Sequence, residues 1–340
     1  MGLLVKLGLR RPSKWERHTL LDWFLDSPLQ ALVYHLYLVI LWLRGNPVRP
    51  PRNRPPIKVV CLSDTHDSIV QRVPDGLVSR KPQHTQRVPD GDLLIHCGDL
   101  TSDGTAASIQ KQIDWLVSLP HQHKVLVCGN HDSWFDINAR KEEDILGQRS
   151  VNLKSVHYLE RKSITLAFKG GRRLNIYGAP DLPQCGGSDN AFQYTSHQNP
   201  WAGSIPMDTD ILITHTPPQH HLDLSLGCPS LLQEIWQKKP KAHIFGHVHW
   251  GRGTQAVFWD DCQKSYEKVM SRRKRGPIWD VLPNRGWIDV FKVLFHGVMG
   301  ILWQWFWLGG VSSGSVMINA AVQHGNSGEL TKKTPITIEI

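Results

Sequence analysis

Five short apolar runs, each ending in a polar segment, are the feature that most constrains the fold of this 340-residue chain. Each run is rich in branched aliphatic residues and stops at Gly, Ser or Thr, as buried β-strands commonly do. The runs cover 58–62, 92–97, 124–128, 210–213 and 242–245. Because α/β folds place their sites at the carboxyl ends of strands, we expect the five polar segments to gather at one sheet edge.

The polar segments supply carboxylates, imidazoles and one amide, which are side chains that bind metal ions. The candidate ligands are Asp64, His66, Asp99, Asn130, His215, His247 and His249. Mixed imidazole and carboxylate ligation suits Mn, Fe, Zn, Co or Ni better than Ca or Mg. We therefore predict two divalent metal ions, bridged by the two oxygens of Asp99. Such a pair makes hydroxide from water at neutral pH and holds a phosphate for in-line attack.

Taken in chain order, the polar segments form a recognisable pattern. They read Asp-x-His at 64–66, Gly-Asp at 98–99, Gly-Asn-His-Asp at 129–132, His at 215 and Gly-His-x-His at 246–249. This pattern resembles the calcineurin-like metallophosphoesterase superfamily, and the resemblance runs from Ile57 to about His249. It implies an α/β fold, a four-layer α/β/β/α sandwich of two mixed sheets, with a last strand pair at 316–340.

The resemblance also implies a role for each residue. One metal would be bound by Asp64, His66, Asp99 and His249, and the other by Asp99, Asn130, His215 and His247. His131 would contact the phosphate or protonate the leaving oxygen, and Asp132 would orient His131. Arg252, three residues beyond His249, is a candidate contact for the substrate phosphate; the alternative is a solvated loop arginine.

The spelling of the motifs narrows the expected activity. Residues 98–104 and 129–132 differ from the corresponding motifs of protein Ser/Thr phosphatases, and they are similar to those of small metallophosphoesterase-domain proteins of animals and fungi. We therefore predict hydrolysis of small phosphodiesters, nucleotides among them. A phosphomonoesterase, a nuclease and a non-catalytic scaffold of the same fold are the alternatives. A scaffold usually lacks a ligand of the set, whereas this chain has them all.

The net charge of +9 comes from 39 basic and 30 acidic residues. Such an excess favours nucleic acid or an anionic membrane surface as a partner. Much of it lies near the start of the chain and at 272–275, rather than along a groove interleaved with aromatic residues. Nucleic acid is therefore the less favoured partner.

Two apolar segments indicate contact with a membrane surface, through residues 20–44 and 290–311. The first, at 31–43, is shorter than the roughly 20 residues that cross a bilayer. The second, at 293–311, is long enough, but a strand of the catalytic sheet is expected at 316–322, so an interfacial helix is favoured. A helix packed on the catalytic domain is the alternative for 31–43.

These segments suggest a division of the chain. Residues 1–50 form a basic and apolar N-terminal segment, 51–56 a Pro-rich linker, and 57–340 the metallophosphoesterase domain with insertions at about 68–90 and 258–312. The first insertion carries Gln-Arg-Val-Pro-Asp-Gly twice, at 71–76 and 86–91. The six cysteines include no Cys-x-x-Cys pair, which fits a reduced, cytoplasmic setting, peripheral or anchored at a membrane.

Overall fold

The structure is a computed structural model that describes residues 2–68, 88–306, 314–323, 325, 331 and 334–340. Its strands, in chain order, are β1 (Lys58–Leu62), β2 (Leu93–His96), β3 (His123–Leu126), β4 (Val156–Tyr158), β5 (Lys162–Phe168), β6 (Arg172–Ala179), β7 (Leu182–Pro183), β8 (Gln193–Tyr194), β9 (Ile211–Thr214), β10 (Ala242–Phe245), β11 (Gly253–Phe258), β12 (Gly314–Asn319) and β13 (Ile336–Glu339). Its α-helices are α1 (Leu3–Lys6), α2 (Leu20–Asp26), α3 (Pro28–Arg44), α4 (Ala106–Ser118), α5 (Glu142–Leu146), α6 (Pro229–Lys238), α7 (Asp261–Met270), α8 (Pro277–Val281) and α9 (Arg285–Phe306).

The five predicted runs all form strands, and they are divided between two mixed sheets. The first sheet has the order β13-β1-β2-β3-β4, in which only β13 runs antiparallel to its neighbour. The second has the order β11-β12-β10-β9-β6-β5, with antiparallel strands at both edges. β12 and β13 lie in different sheets, so the strands expected at 316–340 do not pair with each other.

Alternation along the strands assigns the layers. In β1, Val59 and Cys61 belong to the core between the two sheets, whereas Val60 and Leu62 belong to a second core that includes α4. Alternate residues of β1 enter different cores because successive strand residues face opposite sides of a sheet. On the other sheet, α6 packs through Leu231. These cores confirm the predicted four-layer α/β/β/α sandwich.

Helix α4 has a capped first turn and one buried apolar face. The Thr105 side chain accepts a hydrogen bond from the backbone N–H of Ser108, so it caps the first turn. Ile109, Ile113 and Leu116 are buried on one face at helical spacing. The helix therefore covers the sheet that carries Asp64 and Asp99.

A further helical layer covers the β11 edge of the second sheet. Helices α3, α7 and α9 share a buried apolar cluster that includes Phe258 of β11. Tyr37 of α3 and Tyr266 of α7 stack with their ring centroids 3.9 Å apart. The segment 31–43 is thus part of a longer helix that packs on the rest of the chain, which is the alternative weighed for it above.

Parts of both predicted insertions fall outside the described residues. These parts are 69–87, which include the first Gln-Arg-Val-Pro-Asp-Gly copy and the start of the second, and 307–313, which follow α9. The six cysteines are free thiols, and five of them are buried. The proposed boundaries at 50 and 57 stay a prediction.

Candidate metal centre

The site is built from the loops that follow the carboxyl ends of β1, β2, β3, β9 and β10. Four of its residues have left-handed backbone conformations that side chains rarely adopt: φ is 57° at Asp64, 43° at His66, 52° at Asp99 and 65° at His247. Non-glycine residues in this region are strained, and such strain is concentrated at functional sites. These sharp turns direct the polar side chains back over the strand ends.

Two glycines allow the loops to approach one another closely. A Cβ atom on Gly129 would lie 2.3 Å from Oδ1 of Asp99. A Cβ atom on Gly246 would lie 2.0 Å from Oγ of Ser63 and 2.3 Å from Oδ2 of Asp64. Both positions therefore require glycine for steric reasons, because any other side chain would displace a candidate ligand.

Asp99 lies at the centre of the cluster. Its Oδ2 atom is 3.6 Å from Nε2 of His66 and 3.5 Å from Nε2 of His215. Its Oδ1 atom accepts a 2.9 Å hydrogen bond from the backbone N–H of His131. The Nε2 atom of His215 is also 3.1 Å from Oδ1 of Asn130. One carboxylate thus faces ligand candidates from three other loops.

Asp64 forms the other half of the cluster. Its carboxylate accepts the backbone N–H of His247 at 3.1 Å and lies 3.3 Å from Nε2 of His249. The ring of His66 meets the ring of His249 at 5.4 Å between centroids. The rings of His215 and His247 are 4.9 Å apart. All seven residues predicted as metal ligands are therefore brought together at one place.

Backbone carbonyls determine which ring nitrogen of two histidines faces the cluster. Nδ1 of His215 lies 2.8 Å from the carbonyl oxygen of Cys97, and Nδ1 of His249 lies 2.6 Å from that of Gly325. A carbonyl only accepts, so Nδ1 must carry a proton and Nε2 is the ring nitrogen that faces the cluster. Imidazoles that bind metals are oriented in this way by a second hydrogen bond.

The donor atoms fit a pair of metal ions. Three overlapping groups have ligand atoms within 4.8 Å of one another: Asp64, His66 and His249; His66, Asp99 and His131; Asp99, His215 and His247. The buried Nε2 atom of His66 has no hydrogen-bond partner among the described residues. An orphaned buried nitrogen is costly unless something occupies the position it faces. The seven residues therefore match the expected group in atom type and spacing.

Burial and charge shift the pKa values of these groups in different directions. Burial alone would lower the pKa of His249, but its contact with Asp64 prevails and raises it to about 9. Burial would raise the pKa of Asp64, and the same contact lowers it to about 2. For His247, burial beside His215 lowers the pKa to about 3. His247 is therefore neutral at pH 7, the form in which imidazole binds metals.

His131 is exposed beside the cluster. Its ring is 5.0 Å from that of His66, and its Nδ1 atom lies 3.3 Å from the carbonyl oxygen of Ser102. With Nδ1 donating to that carbonyl, Nε2 remains available to an atom arriving from solvent. This arrangement keeps His131 a candidate for contact with a bound phosphate.

Asp132 does not orient His131 through its side chain, contrary to the sequence prediction. The carboxylate turns inward and accepts hydrogen bonds from the backbone N–H groups of Gly129, Leu100 and Thr101. Burial, together with the charge of Asp99, raises its pKa to about 7. Asp132 therefore connects the loop after β3 to the loop after β2. The group that contacts the His131 ring is the carbonyl oxygen of Ser102 instead.

The guanidinium of Arg252 is bound to the C-terminal segment. Nη1 donates to the carbonyl oxygen of Ala321 at 2.5 Å, and Nη2 to that of Thr334 at 2.7 Å. A role in phosphate binding stays a prediction for this residue. The alternative of a solvated loop arginine is wrong, because its side chain is partly buried and hydrogen-bonded.

Four residues around the site belong to none of the sequence motifs: Trp15, Arg17, Asn190 and Trp250. Trp15 meets the ring of His247 edge-on at 5.3 Å, and Arg17 donates from Nε to the carbonyl oxygen of Trp250 at 3.2 Å. The Nδ2 atom of Asn130 donates to Oδ1 of Asn190 at 2.8 Å, which leaves Oδ1 of Asn130 directed at the cluster. No motif signals these contacts, since they join segments that are distant along the chain.

Comparison with known proteins extends these observations. The sequence profile of the calcineurin-like phosphoesterase family matches residues 57–251. A UPF0046 protein of Caenorhabditis elegans is 34% identical over 61% of this chain and 75% of its own length. The metallophosphoesterase domain-containing protein 1 of Homo sapiens is 31% identical over 62% of this chain and 67% of its own length.

A third relative matches nearly the whole chain. The probable rhamnogalacturonate lyase C of Emericella nidulans is 33% identical over 96% of this chain, which spans only 28% of that protein. The match therefore includes the helices outside residues 57–251 as well. The profile match and the identity to the nematode protein, together with the ligand cluster, lead to one conclusion: the chain belongs to the calcineurin-like phosphoesterase family.

Proposed function

We propose that this protein is a phosphodiesterase that depends on two divalent metal ions. The observation that carries the proposal is the set of three ligand groups that overlap at His66 and Asp99. Shared ligands are what a two-metal site requires, because one carboxylate must reach both ions. Membership of a phosphoesterase family supports the reaction class, and the diester preference is the finer part of the proposal.

In this account, Asp64, His66, Asp99 and His249 hold one ion, and Asp99, Asn130, His215 and His247 hold the other. Two divalent ions bound there would act as Lewis acids on the phosphate and lower the pKa of water. Asp64 and Asp99 are the only charged ligands of the set, so the loaded site keeps a positive charge that attracts an anionic ester. Nδ1 of His131 is held by Ser102, and its Nε2 donates a proton to the departing oxygen.

Two features favour a diester over a monoester. A diester carries one negative charge and a monoester up to two. Because the guanidinium of Arg252 is already bonded to backbone carbonyls, it is not free to balance the second charge of a monoester. A diester also has a second organic group that needs a surface. Trp15 offers an aromatic edge next to His247 on which such a group can pack.

The test is turnover of bis-p-nitrophenyl phosphate and of p-nitrophenyl phosphate by the full chain. The protein is stripped of metal and then supplied with Mn²⁺, and its metal content is measured by elemental analysis. We expect Mn²⁺-dependent cleavage that favours the diester. Asp114→Asn is a matched control for Asp99→Asn, because Asp114 is an exposed helix residue paired with Lys154.

Other outcomes contradict the proposal in different ways. Preference for the monoester would indicate a phosphatase. Binding of two metals without cleavage of either ester would favour the non-catalytic scaffold. Equal activity of the Asp99→Asn variant and the control would show that the ligand cluster is not the reaction site.

A further inference from the structure

We propose that the outer surface of helices α3, α8 and α9 is a docking surface for an anionic phospholipid bilayer. The proposal is independent of the phosphodiesterase assignment, because it rests on a different part of the molecule. Four observations support it: the packed and bare faces of α9, the place of α9 in the chain, the charges around the docking surface, and a basic cleft beside α8.

Helix α9 has one packed face and one bare apolar face. Its packed face buries Val290, Val293 and Gly297 against α3 and α7. Gly297 allows close helix packing, because a Cβ atom there would lie 2.4 Å from Cδ1 of Ile40. The other face exposes large apolar side chains: Ile288, Phe291, Leu294, Phe295, Val298, Leu302, Trp305 and Phe306.

The exposure on this face is extensive. Phe291 is 66% exposed, Trp305 60% and Phe306 74%. The adjoining helix α3 adds Leu32, Val39 and Trp42, which are also exposed. Exposure of this many large apolar side chains on neighbouring helices marks an interaction surface, since water-exposed apolar area is otherwise kept small.

The chain path indicates that α9 lies on a membrane rather than across it. By length and composition α9 is able to span a bilayer. However, β12 begins at Gly314 and lies between β10 and β11 in the sheet. The eight residue steps from Phe306 to Gly314 reach at most about 29 Å when fully extended. That is less than the hydrocarbon core of about 30 Å, so the chain could not return to the sheet.

The charges around the docking surface favour an anionic partner. Every acidic residue of α2, α3, α8 and α9 is engaged by the protein itself: Asp22 by Arg10, Asp26 by Lys274, Asp280 by Ser27, and Asp289 by Lys268 and Arg272. In contrast, Arg273, Arg275, Arg285 and Lys292 are exposed and form no ion pair among the described residues. Asp280 has no cation as its partner among these contacts, but the four free cations of the described residues outnumber it, so the unpaired charge at this surface is positive.

A basic cleft lies next to the apolar face. It has a volume of about 510 Å³ and is lined by three arginines and one carboxylate, together with apolar side chains: Arg272, Arg273, Arg275, Asp280, Trp279 and Leu282. Trp279 and Leu282 are exposed, as are Ile278 and Val281 of α8. Arginines beside exposed tryptophan and aliphatic side chains suit a phospholipid, whose phosphate and acyl chains meet at this depth.

The test is co-sedimentation of the full chain with vesicles of phosphatidylcholine, alone or mixed with phosphatidylserine. We expect binding to the mixed vesicles that weakens with salt. The charge variant is Arg273→Glu/Arg275→Glu, and Arg52→Glu/Arg54→Glu is its control with the same change in net charge. At about fivefold per removed cation, the charge variant should bind at least about 25-fold more weakly than wild type.

A second variant pair tests the apolar face. Phe291→Asp/Trp305→Asp should abolish binding, whereas Ile137→Asp/Met207→Asp, which alters exposed residues elsewhere, should not. All four positions in the pair are exposed, so folding should survive, and circular dichroism checks this. Equal binding to phosphatidylcholine alone, or equal binding by variants and controls, would overturn the proposal. So would a wild-type dimer in solution that Phe291→Asp/Trp305→Asp dissociates while vesicle binding is absent.

Discussion

Gly246→Ala is the smallest change that should disable the metal centre. Gly246 follows β10 and packs directly on the loop that carries Asp64. The added Cβ atom would lie 2.0 Å from Oγ of Ser63 and 2.3 Å from Oδ2 of Asp64. Both neighbours are themselves held, Ser63 by the carbonyl oxygen of Gly98 and Asp64 by the backbone N–H of His247. The new methyl group therefore cannot be accommodated by a simple side-chain rotation.

The distances give the size of the effect. Ordinary contacts of a carbon atom begin near 3.4 Å, so Asp64 must move by about 1 Å. A displacement of about 1 Å at a catalytic site costs on the order of 100-fold in rate. Overpacking of this kind costs about 1–3 kcal/mol in the free energy of unfolding. We expect the variant to fold, to bind less than two equivalents of metal, and to lose about 100-fold in kcat/KM.

Gly253→Ala is the matched control, because the nearest atom to its Cβ is Cδ2 of Leu222 at 3.6 Å, an ordinary contact. The assay measures bound Mn²⁺ by elemental analysis, diester turnover, and the urea midpoint of each purified variant. If Gly246→Ala binds two metals and turns over the diester as Gly253→Ala does, the assignment of Asp64 as a ligand is wrong.

Three further predictions concern single residues. Asp99→Asn should lose more than the 10–100-fold in metal affinity that is typical for outer partners of ligands, measured by titration with Mn²⁺ against Asp114→Asn. His131→Gln should keep both metals but lose about 10²–10⁴-fold in kcat, whereas His197→Gln, at an exposed loop, should not; loss of metal would make His131 a ligand. Burial would raise the pKa of Asp22, but hydrogen bonds from the backbone of Thr19 and Arg11 prevail and lower it to about 2. The stability that Asp22 contributes is therefore present above its ordinary pKa of about 4 and is lost as the pH falls towards 2. Asp22→Asn should lower the free energy of unfolding by about 1–3 kcal/mol at pH 7 and by less at pH 3, as measured by urea unfolding. An equal difference between variant and wild type at both pH values would contradict this.

The strands and the gathering of the candidate ligands at one place could be predicted because their signals are local. The seven candidate ligands follow five apolar runs, and a run of four to six residues ended by Gly, Ser or Thr has few alternatives to a buried strand. The spacing of Ile109, Ile113 and Leu116 is likewise typical of a helix with one buried face. The family resemblance then provided the layers, and the three apolar cores confirm them.

Contacts between distant segments could not be predicted in this way. The partner of His249 is the carbonyl oxygen of Gly325. Every residue type has a backbone carbonyl, so the residue types alone do not indicate this contact. Trp15 and His247 lie far apart along the chain, so no local pattern indicates that their rings meet. Asp132 was given the wrong partner because the sequence places it next to His131, whereas the turn after β3 sends its carboxylate inward to Gly129.

Anomalous diffraction from crystals of the Mn²⁺-loaded protein would locate the metal ions themselves. We expect two manganese peaks, both in contact with the carboxylate of Asp99, one also beside Asp64 and the other beside His215. A single peak, or two peaks without Asp99 between them, would contradict a shared two-metal site.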